Sequence, residues 1–437
     1  MGPDEREAVR RDGRHVWHPW SAATPNGSRV LLARGDGYHV WDLDGRRYLD
    51  GISSALNATC GHRHPALRDA VTRQMDLLCH MDLSVGGHEP SGLLAERIAG
   101  LMPDGLDRTL FVNSGSEAAE AAVRIAVDYW AQLGHPRRRI ITFARGYHGA
   151  TLLCQSLSGL PHTAHPMRNP APVNRVVLPY PPRELRGPAG LAALLAEFDR
   201  ALRAGSGPQD VAAVLVEPLL NVGGGVVLPA GFLRGLAERC SRSGALLVLD
   251  EVFTGFGRTG AMFGFDHDGV RPDLVMTSKG LSAGYLPLGA VTVTGPVYDA
   301  FRTGPSRGRL HYGHTTSGHA VACAAGLAAI SVLEQQGLVA RAAALGSRLL
   351  ALLEPLTGGP HVVDVRGLGL VGVVEMDTPE AADRVNAGCL ARGLLVRQQL
   401  TSIMVVPPLI IDEAGVDEIA EALTGAVVAA AETAVPT

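Results

Sequence analysis

The chain has 437 residues, 46% of them hydrophobic and 19% charged, with 43 Asp plus Glu against 39 Lys plus Arg. A net charge of -4 and no long basic block exclude an electrostatic footprint for nucleic acid or an anionic membrane surface. That length points to about two or three domains, with a core large enough to need no covalent staples.

The six cysteines, at 60, 79, 154, 240, 323 and 389, form no C-x-x-C pair, so no metal site and no disulfide framework is expected, and a reducing cytoplasm is the expected compartment. Residues 1–14 lack the apolar segment of a secretory signal. The longest near-apolar stretch, 320–333, is too short to span a bilayer and reads as a packed core helix.

In chain order, a hairpin is expected over 38–49 around Asp44-Gly45, packing together with Trp17 and Trp20 against the C-terminal part of the chain. A helix over 117–130 precedes a strand at 140–143, and a helix over 191–204 precedes a strand at 211–216. A helix over 231–243 precedes strands at 245–249, 274–276 and 290–293, and a helix follows over 319–335. These strands are short aliphatic runs of the kind buried on both faces, so the alternation predicts an α/β fold with a mostly parallel sheet. From residue 336 the pattern changes to an Ala/Leu-rich helix, strands at 362–366 and 369–376, a helix near 380–392 and a strand at 394–397. The expected organisation is an N-terminal segment 1–60 packed with a smaller α+β domain 336–437, and a large domain 61–335.

Chemistry-bearing residues follow the predicted strands: Tyr147-His148-Gly149, Glu217-Pro218, Asp250-Glu251 and Ser278-Lys279-Gly280. In open α/β sheets, ligands sit outside the carboxyl ends of the strands, so these groups can converge on one pocket. Asn113-Ser114-Gly115-Ser116-Glu117 opens a helix whose N-terminus can face a phosphate through backbone N–H groups and the Ser116 hydroxyl, although an ordinary helix cap uses the same residue types. Lys279 is the only lysine in the chain. A codon bias toward arginine explains the rarity of lysine elsewhere, but arginine cannot lose its proton to become an amine nucleophile, whereas a desolvated lysine can form a Schiff base. Asp250, leaving a buried strand, needs a cationic partner, either a structural arginine or a protonated ring nitrogen.

Together these residues describe a pyridoxal 5'-phosphate site, with Lys279 as the Schiff-base amine, Asp250 on the ring nitrogen, Tyr147 or Val252 against the ring faces, and Gly115 with Ser116 on the phosphate. The run Asp250-Glu251-Val252-Phe253-Thr254-Gly255-Phe256-Gly257-Arg258-Thr259-Gly260, followed by Pro272-Asp273-Leu274 and Ser278-Lys279-Gly280, resembles the signature of class III pyridoxal-phosphate aminotransferases. The resemblance extends through 45–51, 61–65, 113–119, Tyr147-His148-Gly149, Glu217-Pro218 and His314-Thr315-Thr316. It implies fold type I architecture, a homodimer with shared active sites, and transamination in two half-reactions between an amine donor and a carbonyl acceptor, the latter free or peptide-borne. It also implies that His148 and Glu217 lie near the cofactor and that Thr315 reaches the phosphate of the neighbouring subunit's cofactor. Capping alone also accounts for Thr315, and a strand-end acid before a proline turn for Glu217.

Residues 15–20, ending in Trp20, resemble the diaminopelargonate and ω-amino-acid branches of that family, which places Trp20 at the substrate. Arg397 resembles the family arginine that receives a substrate carboxylate, with Gln398 where a proline is usual; a solvated charge is the alternative. Ser53-Ser54-Ala55-Leu56-Asn57 and Ala150 depart from the diaminopelargonate pattern. The expected activity is therefore an ω-type aminotransferase of specialised metabolism acting on a ketone or aldehyde. Diaminopelargonate aminotransferase and a mutase, epimerase or lyase of the same family are the alternatives.

Overall fold

The structure, a computed structural model, describes residues 3–20, 30–163, 172–180, 182–205, 207–306 and 308–432. After a helix at Pro3–His15 come three antiparallel strands, β1 (Leu32–Asp36), β2 (His39–Asp42) and β3 (Arg47–Leu49). The predicted hairpin is β2–β3, and it docks on the C-terminal part of the chain: Leu49 N–H donates to Gly393 O at 2.8 Å, and Leu395 N–H donates to Leu49 O at 3.0 Å. The two tryptophans also border that part: Trp17 and Trp20 share a cavity wall with Arg397, Gln398, Gln399 and Leu400. Trp17 is 91% exposed, and Trp20, 64% exposed, stands edge-on to Tyr147 and His162 with both ring centroids at 6.2 Å.

The chain then builds β4 (Leu106–Val112), β5 (Arg139–Phe143), β6 (Val173–Val176), β7 (Val211–Val216), the short pair β8 (Leu219–Leu220) and β9 (Val226–Val227), β10 (Leu246–Asp250), β11 (Leu274–Thr277) and β12 (Gly289–Thr294). Seven of these form one sheet in the order β4-β12-β11-β10-β7-β5-β6. All pairings are parallel except those of β12, which runs against both neighbours. The strand period of two sorts the side chains: Val214, Val216, Leu247 and Leu249 enter one core, while Ala213, Leu215, Leu246 and Val248 enter another on the opposite face. Phe143, Phe198 and Phe232 cluster in the first core, and Trp130 in the second donates its indole N–H to Ala212 O at 2.9 Å. Each of these fully buried aliphatic side chains contributes roughly 1.5–3 kcal/mol.

The C-terminal part forms an antiparallel sheet of β13 (Val362–Gly367), β14 (Gly372–Met376), β15 (Arg397–Gln399) and β16 (Ser402–Val405), in the order β13-β14-β16-β15. It is backed by helices Leu338–Leu353, Pro379–Ala391 and Glu413–Glu432. Two predicted bounds shift. The strand expected from 369 begins at Gly372, and the one expected at 394–397 begins only at Arg397, because Leu394 makes a parallel bridge to Leu49 instead. Among the described residues no single helix is long and apolar enough to cross a membrane.

Candidate active site

The carboxyl ends of β7, β10 and β11 and the loops after β4 and β5 close around a cavity of about 160 Å³. Its wall includes Gly115, Ser116, Tyr147, His148, Glu217, Asp250, Val252, Phe253 and Lys279. Residues from Gly115 to Lys279 are thus one site, and the sheet's direction brings them together.

Asp250 is the last residue of β10 and is buried. Its Oδ1 accepts from Val252 N–H at 3.1 Å, and its Oδ2 faces His148 Nδ1 at 2.7 Å. The far nitrogen of the same imidazole meets Thr142 Oγ1 at 3.0 Å, so His148 is held from both sides. Burial alone pulls the imidazole pKa down, but the Asp250 hydrogen bond and charge outweigh it and leave the net shift upward. The partner beside Asp250 in this chain is therefore a histidine 102 residues away, with no arginine within salt-bridge distance among the described residues. Glu251 points the other way, as strand alternation requires. It accepts from the Gly264 and Phe265 N–H groups, both at 2.9 Å, and pins that loop.

Lys279 opens a short 3-10 turn directly after β11, at φ +40°, a conformation that L residues rarely adopt. Ser278 anchors the turn through Oγ–H to Leu288 O at 2.7 Å. Desolvation in the cavity, followed by the Arg397 charge, lowers the Lys279 pKa to about 8, against opposing pulls from Asp250 and Glu217. An amine with that pKa is partly neutral near physiological pH. Glu217 lies one residue beyond β7, fully enclosed, and accepts from Tyr147 N–H at 3.0 Å and Asn221 N–H at 3.1 Å. Burial raises its pKa.

The helix Gly115–Gln132 starts at the cavity. Ser114 caps it by accepting from Glu117 N–H at 3.2 Å, and Glu117 Oε2 returns to Asn113 N–H at 2.6 Å. The cap and the anion-binding end coexist: the cap occupies Ser114, while Gly115 and Ser116 of the first turn line the cavity. Ser116 Oγ accepts from Ala150 N–H at 3.1 Å and keeps its own proton to donate. Two glycines are sterically required here. A Cβ on Gly115 would lie 2.9 Å from Val252 Cγ1, and one on Gly149, at φ +124°, 2.5 Å from Ser116 Oγ.

Tyr147 also borders a second, outer cavity of about 760 Å³, with Trp17, Trp20, His162, Val222, Arg397 and Gln399 on its wall. Arg397 stands on the edge strand β15 with no carboxylate within 4 Å among the described residues. Burial lowers its pKa, with Tyr147 the opposing influence. Gln399 meets it: with its amide oxygen toward the guanidinium, it accepts from Nε at 2.8 Å and Nη2 at 3.1 Å. Glu217 is held at the inner cavity by two backbone N–H groups. Thr315 is exposed and lines neither cavity. His80 Nε2 contacts its carbonyl at 2.8 Å, and the neighbouring Thr316 hydroxyl donates to Asn113 Oδ1 at 2.9 Å. The sequence reading passed over Thr142, Asn221, Phe253 and Gln399. Only Gln399 carried a usable signal, being two residues from Arg397 on one face of a strand.

The fold and this arrangement define a fold type I enzyme, and residues 22–427 match the family "Aminotransferase class-III". The chain belongs to the class III aminotransferases, which are pyridoxal 5'-phosphate enzymes. It is 37% identical to the adenosylmethionine-8-amino-7-oxononanoate aminotransferase of Nitratidesulfovibrio vulgaris, over 96% of this chain and 81% of that one. It is 33% identical to an omega-aminotransferase of Caulobacter vibrioides, over 92% and 95%. Among solved structures it resembles an amine transaminase from an uncultivated Pseudomonas species in its PLP-bound form, with a TM-score of 0.89 and 32% identity, covering 95% of this chain and 99% of that one.

Proposed function

We propose that this aminotransferase takes an amino group from a carboxylate-bearing donor held by Arg397 and passes it to a bulkier ketone or aldehyde accommodated in the outer cavity. The observation that carries this reading is Arg397 itself. It is a half-buried guanidinium without a carboxylate partner, on the wall of a cavity that shares Tyr147 with the inner one.

The residues of the inner cavity fit the cofactor: one amine, two buried carboxylates and a capped helix start share a space in which two glycine positions leave no room for a Cβ. Pyridoxal 5'-phosphate, when bound, supplies the electron sink that lets a proton leave the amine-bearing carbon. In this reading Lys279 attaches the cofactor and, once released and neutral, moves that proton. Asp250, oriented by its hydrogen bond with His148, would face the protonated ring nitrogen. Gly115 and Ser116 meet the phosphate, Tyr147 and Val252 border the ring, and Glu217 orients the Tyr147 and Asn221 backbone. Trp20 walls the substrate entrance. Thr315 acts across a homodimer interface, for which its exposure outside its own cavities is the support. The cytoplasm is the proposed compartment, supported by six unpaired cysteines.

A second reading, adenosylmethionine-8-amino-7-oxononanoate aminotransferase, is favoured by the 37% identity to the Nitratidesulfovibrio enzyme. Ala55 and Leu56, and Ala150, the positions that depart from that pattern, weigh against it. Turnover of 8-amino-7-oxononanoate with adenosylmethionine, at rates matching the best ω-type pair, would establish the second reading and displace the first. For the first, Arg397→Ala should weaken carboxylate-bearing donors by about 2–4 kcal/mol in kcat/KM and affect simple amines much less. Equal losses would show that Arg397 supports the fold instead.

A further inference from the structure

Arg397 and Gln399 are i and i+2 on β15, so they project from the same face, whereas Gln398 between them projects from the other. Gln398 is secured there, donating from Nε2 to Asp383 Oδ1 at 2.7 Å. That tether fixes the strand and with it the aim of its neighbours. Gln399 is left facing the guanidinium, reaching Nε and Nη2 together at 2.8 and 3.1 Å, the pair of donors a carboxylate would engage.

We propose that Gln399 is a specificity-determining positioning residue: a neutral internal substitute for the substrate carboxylate, which occupies Arg397 when a carboxylate-free substrate is bound and yields when a carboxylate arrives. This rests on Arg397 being the carboxylate site. The strengths of the two partners make the exchange work. A carboxylate brings a full negative charge to the same two guanidinium donors that the neutral amide oxygen engages, so the ion pair is the stronger and a carboxylate displaces Gln399. Without one, a half-buried guanidinium stripped of its acceptor bears a desolvation cost, and the amide removes that cost. An acid at position 399 would hold Arg397 too firmly, and an apolar residue would leave it bare. The glutamine therefore lets one pocket alternate between an anionic and a neutral substrate.

The test is the ratio of kcat/KM for an amino-acid donor to that for a carboxylate-free amine of similar size, measured on cofactor-loaded enzyme. Gln399→Glu places a permanent anion on Arg397, and the ratio should fall by about tenfold or more, mostly through KM of the amino acid. Gln399→Ala should raise the ratio by about threefold or more, through loss on the carboxylate-free side. Competitive inhibition by butanoate supplies a turnover-independent reading: its inhibition constant should rise in Gln399→Glu and fall in Gln399→Ala. A ratio unmoved within about twofold in both folded variants, or moved the same way in both, overturns the proposal. Arg397→Ala separates the two layers. If it selectively harms carboxylate donors while the Gln399 variants do nothing, only the role of Gln399 fails. If it harms both donor types equally, the carboxylate site itself fails.

Discussion

Lys279 shows how one residue can be legible and still incompletely understood. Its solitude in an arginine-rich chain marked it for amine chemistry, but its strained φ of +40° and its pKa of about 8 come from a turn and a cavity that no local pattern announces. Both cost stability. An unfolded chain keeps the lysine proton up to the ordinary value of 10.5, while the folded chain gives it up near 8, so between those limits the unfolded state binds more protons and stability rises with pH. Below about 8 the folded state carries the full penalty of the enclosed charge. Cofactor-free Lys279→Met should accordingly melt above the wild type at pH 7, and calorimetry checks this; an unchanged or lower melting temperature contradicts it. Capture of pyridoxal 5'-phosphate by the cofactor-free wild type should accelerate as pH rises through about 8, since only the neutral amine attacks, and absorbance follows it directly. Asp250 was also visible at its strand end, but its partner was not, because His148 lies 102 residues away and only the sheet order joins them. Asp250→Asn should retain the cofactor and lose more than about 100-fold in kcat, with a smaller loss for His148→Ala. Near-normal turnover of Asp250→Asn would make that residue structural.

At the scale of elements, the strands of the seven-stranded sheet foreseen from sequence, β5, β7, β10, β11 and β12, are those with neighbours on both sides. Their residues are buried throughout, and such runs are continuous and aliphatic. The two that escaped notice, β4 and β6, are the edges of the same sheet. Asp107 and Arg108 of β4 and Arg175 of β6 are exposed and break the apolar run. The reversed direction of β12 also has no local signature, since an apolar strand reads the same either way. The connection between elements rests on a residue that sequence reading would place on the surface. Arg258 is fully buried and donates to Leu370 O at 3.2 Å, Pro407 O at 2.7 Å and Ser53 Oγ at 3.2 Å, joining the loop after β10 to the C-terminal sheet and the N-terminal segment. Arg258→Met should strand those acceptors and destabilise the protein by roughly 3 kcal/mol or more, read by denaturant titration. A loss under about 1 kcal/mol would show that water replaces the guanidinium there.

For the whole molecule, the family and fold were legible because the motif residues sit at strand ends, where sequence spacing and spatial convergence coincide. The substrate wall was less so, since it is assembled from Trp17 and Trp20 near one terminus and Arg397 and Gln399 near the other. If Thr315 serves the neighbouring subunit, mixing Lys279→Ala protein with a Thr315→Trp variant should restore turnover to a fraction of hybrid sites after subunit exchange. No recovery after verified exchange would argue for self-contained sites. The cavity around Lys279 is proposed to carry out amino transfer in two separate halves. Its most direct test is to mix cofactor-loaded enzyme with a donor amine and no acceptor, and to count carbonyl product against sites while following the cofactor's absorbance. The expected result is about one carbonyl per site, conversion of the cofactor to its amine form, and reversal on adding a ketone or aldehyde. Continuous product formation without an acceptor, or an isomer of the donor in place of the carbonyl, would contradict it.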